Sequence, residues 1–305
     1  MAKHLVDRAV VQGMTKKERQ KYVRELRRRE RERIALLKRR RRIIGWSATG
    51  AAAAVGITAL ITVTAVSAAT AEATPTATAL PAVVGPANML SDGLLLQGSD
   101  DGASLVPVAT DALTEDAEPV PNLSTASTSG VLDLQLYVDV TSEYAATLWQ
   151  TVGETLTSAA TAGGATLELH PYAVETADGD ALAAVAAFGC VADIAPDQAF
   201  DVWQAMLQRT AEGEPVTAST AKSVVADAGV TDETVVTCIS DAEFHQWAVD
   251  VSDRAAAGVP SATQAVDLTS GVAVTAAGSV YTGAVDDLDG FETFLDDAYA
   301  AAVAG

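Results

Sequence analysis

The sequence predicts an α/β fold, preceded by a single transmembrane helix. Three observations predict the fold: a strand-helix-strand pattern, a long helical block, and a closing group of two strands and a helix. Residues 132–137 alternate apolar and polar side chains, which is the period of a β-strand, and a helical pattern and a second strand follow. A helical block then occupies about residues 178–256, and two short strand-like stretches and a closing helix come after it. We therefore place one sheet-containing globular domain at residues 131–303.

The first segment of the chain is strongly basic. Residues 1–42 carry seventeen of the twenty Lys and Arg residues against five acids, whereas the remainder carries three bases against thirty-five acids. Such asymmetry indicates different surroundings for the two parts. We interpret residues 1–42 as a cytoplasmic arm lying against anionic lipid headgroups, where each base contributes about 1 kcal/mol. A nucleic-acid or partner-binding arm is the alternative, while the acidic outer domain excludes nucleic acid as its own partner.

Residues 43–71 contain no charged side chain. Because about twenty apolar residues in a helix cross a bilayer, we expect a membrane span here, with Trp46 as an interfacial anchor beside the basic arm. The positive-inside rule places residues 1–42 in the cytoplasm and the chain after about residue 70 in the extracytoplasmic space. We expect a retained signal-anchor in the cell membrane, and cleavage after Ala71, which follows a small-x-small pattern, is the alternative.

Residues 72–130 are rich in Ala, Thr, Ser and Pro, which is typical of a linker. Within them, Ser91-Asp92-Gly93 separates two apolar runs and predicts a tight hairpin near residues 86–99. We expect this hairpin to add to the edge of the downstream domain.

The elements of the globular domain follow in order. Thr141 or Ser142 caps a first helix that ends before Gly163-Gly164. The other predicted elements are a second strand at residues 166–170, two late strands at 264–268 and 272–274, and a last helix at 287–302.

Several short strings resemble those of one family. Leu136-Tyr137-Val138-Asp139 and Leu167-Glu168-Leu169-His170-Pro171 are similar to the two central strands of actinobacterial, membrane-anchored DsbA-like thioredoxin-domain proteins. Cys190-Val191-Ala192-Asp193 resembles part of their helical insert. The resemblance covers about residues 86–99 and 131–302. It implies a thioredoxin-like fold with a DsbA-like helical insertion, in a family of thiol-disulfide oxidoreductases.

The chain departs from that family at the site of its chemistry. Where the family has C-P-x-C, this sequence has Ser142, Glu143, Tyr144 and Ala145, and Thr263 occupies the position aligned with the family's cis-proline. Disulfide exchange requires an attacking thiolate and a second thiol to resolve the mixed disulfide. We therefore predict no catalytic residue here, and we interpret Ser142 and Glu143 as a helix cap and a partner of the helix dipole.

Cys190 and Cys238 are the only cysteines of the chain. In an exported chain an isolated pair indicates a disulfide, and both residues match positions of a structural bridge in the resembling proteins. A redox-active pair is the alternative. The histidines lack zinc-ligand spacing to the pair, so we predict no metal and no cofactor.

Three functions remain open. The first is a binding or accessory module that holds an extended peptide or an envelope protein in a groove near Ser142, Tyr144 and Thr263. The second is a thiol-handling enzyme that uses Ser142 at the helix N-terminus. The third is a structural envelope protein.

Overall fold

The computed structural model describes residues 83–115, 117–121 and 130–304. The predicted basic arm (1–42) and the predicted membrane span (43–71) lie outside these residues. Within the part of the chain that is described, no helix combines the length and apolarity needed to cross a membrane.

The described residues form six strands and seven α-helices. The strands are β1 (Leu94–Gly98), β2 (Leu105–Pro107), β3 (Leu132–Val138), β4 (Ala165–Pro171), β5 (Val272–Ala276) and β6 (Ser279–Val280). The helices are α1 (Glu143–Thr161), α2 (Gly179–Ile194), α3 (Ala199–Ala211), α4 (Ala221–Asp227), α5 (Glu233–Asp241), α6 (His245–Ala257) and α7 (Leu288–Ala304).

One sheet organises the domain, with the strand order β2-β1-β4-β3-β5-β6. The central strands β3 and β4 are parallel and are joined by α1, and β5 and β6 form an antiparallel hairpin beside β3. Helices α2 to α6 separate the β3-α1-β4 unit from the β5-β6-α7 unit. This order is that of a thioredoxin-like fold with a helical insertion, so the predicted α/β class is confirmed.

The two faces of the sheet differ in polarity. Alternate residues of β3 and β4, such as Leu134 and Leu167, join the main apolar core with α1 and α7. The opposite face carries polar side chains, among them Gln135 and Glu168. All seven residues of β3 are buried, so the alternation in its sequence separates two covered faces rather than a buried and a solvated one.

The helical insertion is built around α2. Eleven of its residues are buried, and five of them are alanines, whose small side chains let neighbouring helices pack closely. Gly189 shows how closely, because a Cβ added there would lie 2.9 Å from the Trp247 ring on α6. The helices of this region span residues 179–257, close to the predicted insert.

The structure corrects the expected linker. Residues 83–121, apart from the undescribed residue 116, pack on the domain, with Met89, Leu94 and Leu113 buried in the core or its surroundings. The hairpin is β1-β2, whose turn lies at residues 99–104, and it does extend the edge of the sheet next to β4. Ser91-Asp92-Gly93 does not form the hairpin turn, because Asp92 is held by Arg254 of α6 and Ser91 by Glu168 of β4.

Of the two predicted late strands, the one at 272–274 is confirmed as β5, which pairs with β6 in a hairpin. The other is corrected, because residues 264–268 form no strand. Val266 and Leu268 instead pack on a small apolar cluster around Tyr137, on the polar face of the sheet. Burial against that face therefore outweighs the strand-like pattern of these residues.

Candidate functional site

The turn between β3 and α1 carries Ser142 to Ala145, the four residues that the sequence resemblance aligns with C-P-x-C. Ser142 has an extended backbone (φ −79°, ψ 129°), and its Oγ accepts a hydrogen bond from the Ala145 amide at 3.4 Å. The same hydroxyl donates to the Ser270 carbonyl oxygen at 2.8 Å. Ser142 thus acts as the N-cap of α1, as predicted, and its hydroxyl proton is directed at a backbone oxygen.

The next three residues differ in exposure. Glu143 is exposed in the first turn of α1, where a negative charge interacts favourably with the helix dipole. The Tyr144 side chain is 60 % exposed, whereas Ala145 is 1 % exposed and joins the core. Ser142 and Ala145 therefore place a capping hydroxyl and a buried methyl group at the start of α1.

Asp139 holds the surrounding backbone in place. Its Oδ1 accepts hydrogen bonds from the Thr141 amide at 2.9 Å and from the Thr141 hydroxyl at 2.6 Å. Its Oδ2 accepts from the amide of Val174, in the loop after β4, at 3.0 Å. Its own amide donates to the Gly271 carbonyl at 2.8 Å, just before β5. One buried carboxylate and its backbone therefore connect three segments around the N-terminus of α1.

The structure places Thr263 elsewhere. The segment that packs on Ser142 is Ser270-Gly271, and a Cβ added to Gly271, whose φ is +84°, would lie 2.4 Å from the Ser142 Cβ. Thr263 instead donates from its amide and its hydroxyl to the Gly278 carbonyl, beyond the other end of β5. The expectation that Thr263 lies beside Ser142 is corrected, because Ser270-Gly271 directly precedes the strand that pairs with β3. Among the described residues no peptide bond is cis.

Cys190 on α2 and Cys238 on α5 form a disulfide. Both residues are buried, at 1 % and 2 % exposure. This is the predicted pairing, and it uses both cysteines of the sequence.

A second polar cluster was missed by the sequence analysis. The Glu168 carboxylate accepts hydrogen bonds from Ser91 Oγ and, at 3.0 Å, from Gln135 Nε2. The His170 ring stacks on Tyr137, with the ring centres 4.3 Å apart. These residues lie on the polar face of β3 and β4. The signal available in the sequence was that Glu168 and His170 alternate with leucines. Two polar side chains at this spacing lie on the same face of a strand.

No protein-family profile matches the sequence, and neither does any curated protein.

Several solved structures are similar in three dimensions at low sequence identity. The MdbA thiol-disulfide oxidoreductase of Corynebacterium diphtheriae is 15 % identical, with 67 % of this chain and 93 % of that chain covered and a TM-score of 0.43. Oxidised BdbD of Bacillus subtilis is 12 % identical, with coverages of 72 % and 98 % and a TM-score of 0.48. Reduced DsbA of Mycobacterium tuberculosis is 15 % identical, with coverages of 69 % and 99 % and a TM-score of 0.44.

Proposed function

We propose that this protein is a membrane-anchored, extracytoplasmic module of DsbA type that has lost disulfide exchange and binds extended polypeptide beside the N-terminus of α1. The single observation that carries the proposal is the pair of residues at the redox positions. Ser142 is committed to capping α1, and Ala145 is a buried methyl group.

The absence of a thiol supports the loss of redox chemistry. The sequence has two cysteines, and both belong to the buried Cys190–Cys238 disulfide of the helical insertion. Disulfide exchange needs a thiolate with access to its substrate. A serine hydroxyl stays protonated at neutral pH, and the Ser142 hydroxyl already donates to the Ser270 carbonyl.

The surface next to Ser142 supports binding of a polypeptide. Tyr144 and Val174 expose 60 % and 40 % of their surface, and the Val174 amide is bonded to Asp139 at the same turn. Exposed aromatic side chains beside a fixed backbone are typical anchors in protein recognition. The domain is strongly acidic, which favours a cationic segment as the partner.

The membrane anchor and the orientation rest on the sequence. The uncharged run at residues 43–71 follows the basic arm, and the positive-inside rule then directs the acidic domain outward. The disulfide fits this orientation, because disulfides persist in oxidising compartments.

A thiol-handling enzyme that uses Ser142 is the alternative. It would require the hydroxyl to donate a hydrogen bond to a bound thiolate. In the structure that proton is directed at the Ser270 carbonyl, which favours the binding module. A structural envelope protein stays open as the third hypothesis.

The loss of redox activity is tested with full-length protein in detergent, by reduction of insulin with dithiothreitol as the electron source. We expect the wild type to match the uncatalysed rate. The double variant Ser142→Cys/Ala145→Cys is the positive control, because a thiol at a helix N-terminus has a lowered pKa. Turnover by the wild type well above background would overturn the proposal.

Polypeptide binding is tested separately, with reduced and alkylated ribonuclease A as an unfolded cationic chain and fluorescence anisotropy as the readout. We expect Tyr144→Ala to weaken binding by roughly 10-fold, as the loss of an aromatic anchor does. Tyr299→Ala on α7 is the matched control, because Tyr299 is 44 % exposed but lies on another helix. Equal effects of the two variants would contradict a groove at α1.

A further inference from the structure

A cavity of about 340 Å³ lies on the polar face of the sheet. Gln135 and Tyr137 of β3 and His170 of β4 line it, and α6 contributes Arg254 and Ala257. Residues 118–121 and 258–261 supply further lining side chains, several of them prolines. The volume falls within the range of small-molecule sites, at its lower end.

The lining combines an apolar surface with one buried polar group that lacks a hydrogen bond. His170 is 4 % exposed, and its Nε2 has no hydrogen-bond partner. Glu168 Oε2 lies 3.2 Å from this nitrogen, which is an ion-pair distance, but the geometry is not that of a hydrogen bond. A buried polar atom without a hydrogen bond costs stability, so a ligand that hydrogen-bonds to this nitrogen would remove that cost.

The charges around the cavity are predominantly negative. Arg254 makes two hydrogen bonds to the Asp92 carboxylate, at 2.6 and 2.7 Å, and this pair is internally neutral. Glu118 also lines the cavity, and the carboxylate of the buried Glu168 lies 3.2 Å from His170 Nε2. Within the described residues, Arg254 is the only Lys or Arg that lines the cavity.

The pKa of the Tyr137 hydroxyl is affected by the same negative charges. Burial raises its pKa, and the charges of Glu168 and Asp92 raise it further. Burial opposes ionisation of Arg254, but its hydrogen bond to Asp92 and the charges of Asp92, Asp250 and Glu118 raise its pKa overall. A negatively charged ligand in the cavity would therefore be disfavoured, and a positively charged ligand would be stabilised.

We propose that this cavity binds a small organic cation, an amine with a compact apolar body. The ammonium group lies near Glu118 and the Asp92–Arg254 pair, and the apolar body packs among Tyr137 and the proline side chains. Residues 139–145 do not line the cavity, so this site is independent of the proposed polypeptide groove.

The test uses three probes of one shape and different charge on the full-length protein in detergent: 2-phenylethylamine, 2-phenylethanol and 3-phenylpropionate. Isothermal titration calorimetry measures the affinity of each. We expect one saturable site with the amine bound roughly 10-fold more tightly than the alcohol, and more weakly at high salt because ions screen the attraction. Equal affinity for amine and alcohol, or tighter binding of the carboxylate, would overturn the proposal.

Matched variants locate the site. Ala257→Phe places a ring at the α6 edge of the cavity, whereas Ala256→Phe places the same ring at a neighbouring position that is also exposed but does not line the cavity. Glu118→Gln removes a lining charge, and Glu115→Gln removes an exposed charge from the same segment. We expect Ala257→Phe to abolish amine binding and Glu118→Gln to weaken it roughly 5-fold, with both controls unchanged. Amine binding that survives Ala257→Phe would place the site elsewhere and overturn the proposal.

The amine could belong to a free small molecule or to a lysine side chain of a polypeptide. A lysine-containing peptide tested in parallel distinguishes the two. Failure of the peptide to compete with 2-phenylethylamine supports a site for a free small molecule. Peptide binding without binding of the free amine would overturn it.

Discussion

The turn at the N-terminus of α1 and the cavity on the polar face are both built on β3, yet they use polar groups differently. At the turn, Asp139 and Ser142 have their oxygens engaged by backbone amides, a hydroxyl and a carbonyl. At the cavity, His170 keeps a nitrogen without a hydrogen bond, and carboxylates outnumber the single guanidinium. The polar groups of the turn are therefore committed to holding the backbone, whereas His170 at the cavity has a nitrogen that a ligand could still bond.

The largest effect is expected away from both regions. The Cys190–Cys238 bridge closes a loop with a separation of 48 residues. Removing it with Cys190→Ala/Cys238→Ala should lower the free energy of unfolding by roughly 4 kcal/mol on the chain-entropy argument. Urea unfolding measures the change. Amine binding to the folded variant should be unchanged, and its loss would show that the insertion's bridge shapes the cavity.

The next effect tests whether the turn is structural. Asp139→Ala removes three hydrogen bonds to a carboxylate that is 5 % exposed, and it should lower the free energy of unfolding by about 3 kcal/mol. Asp267→Ala is the matched control. Asp267 bonds the Thr269 amide and hydroxyl at the same 2.9 and 2.6 Å, but it is exposed and has no bond to a distant segment. Equal losses in chemical unfolding would mean that the link to Val174 contributes nothing.

The smallest effect is expected at the cavity. His170→Phe keeps a planar ring on Tyr137 and removes the nitrogen that lacks a hydrogen bond. The free energy of unfolding should change by less than about 1 kcal/mol. Leu169→Ala, at the neighbouring buried position of β4, should cost about 3 kcal/mol in the same experiment. A large loss for His170→Phe would make the histidine a structural residue and remove the contrast between the two regions.

The central part of the fold could be predicted because its signals are local. The alternation in residues 132–137, the cap at Ser142 and the glycines after Ala160 define β3 and α1 without reference to the rest of the chain. The helical insertion and its bridge followed in the same way from the helical pattern and from two isolated cysteines. The sequence also predicted Ser142 as a cap of helix α1.

Other features could not be predicted because they depend on which segments meet. Ser91-Asp92-Gly93 has the composition of a hairpin turn, but Arg254, 162 residues later, holds Asp92 in a buried position. Thr263 was aligned with the family's cis-proline position, but the strand that pairs with β3 starts at Val272, which brings Gly271 to Ser142. No local pattern contains that pairing.

The sequence by itself determined the class of fold, the cap of α1 and the presence of Ser142 and Ala145 at the start of that helix, because each depends on residue types at short spacing. Only the tertiary structure decided that residues 83–115 and 117–121 belong to the domain and that β3 has two covered faces. It also decided that His170, Asp92 and Arg254 line one cavity. The physical reason is that burial and charge pairing depend on contacts between residues far apart in the chain, and a single sequence does not contain those contacts.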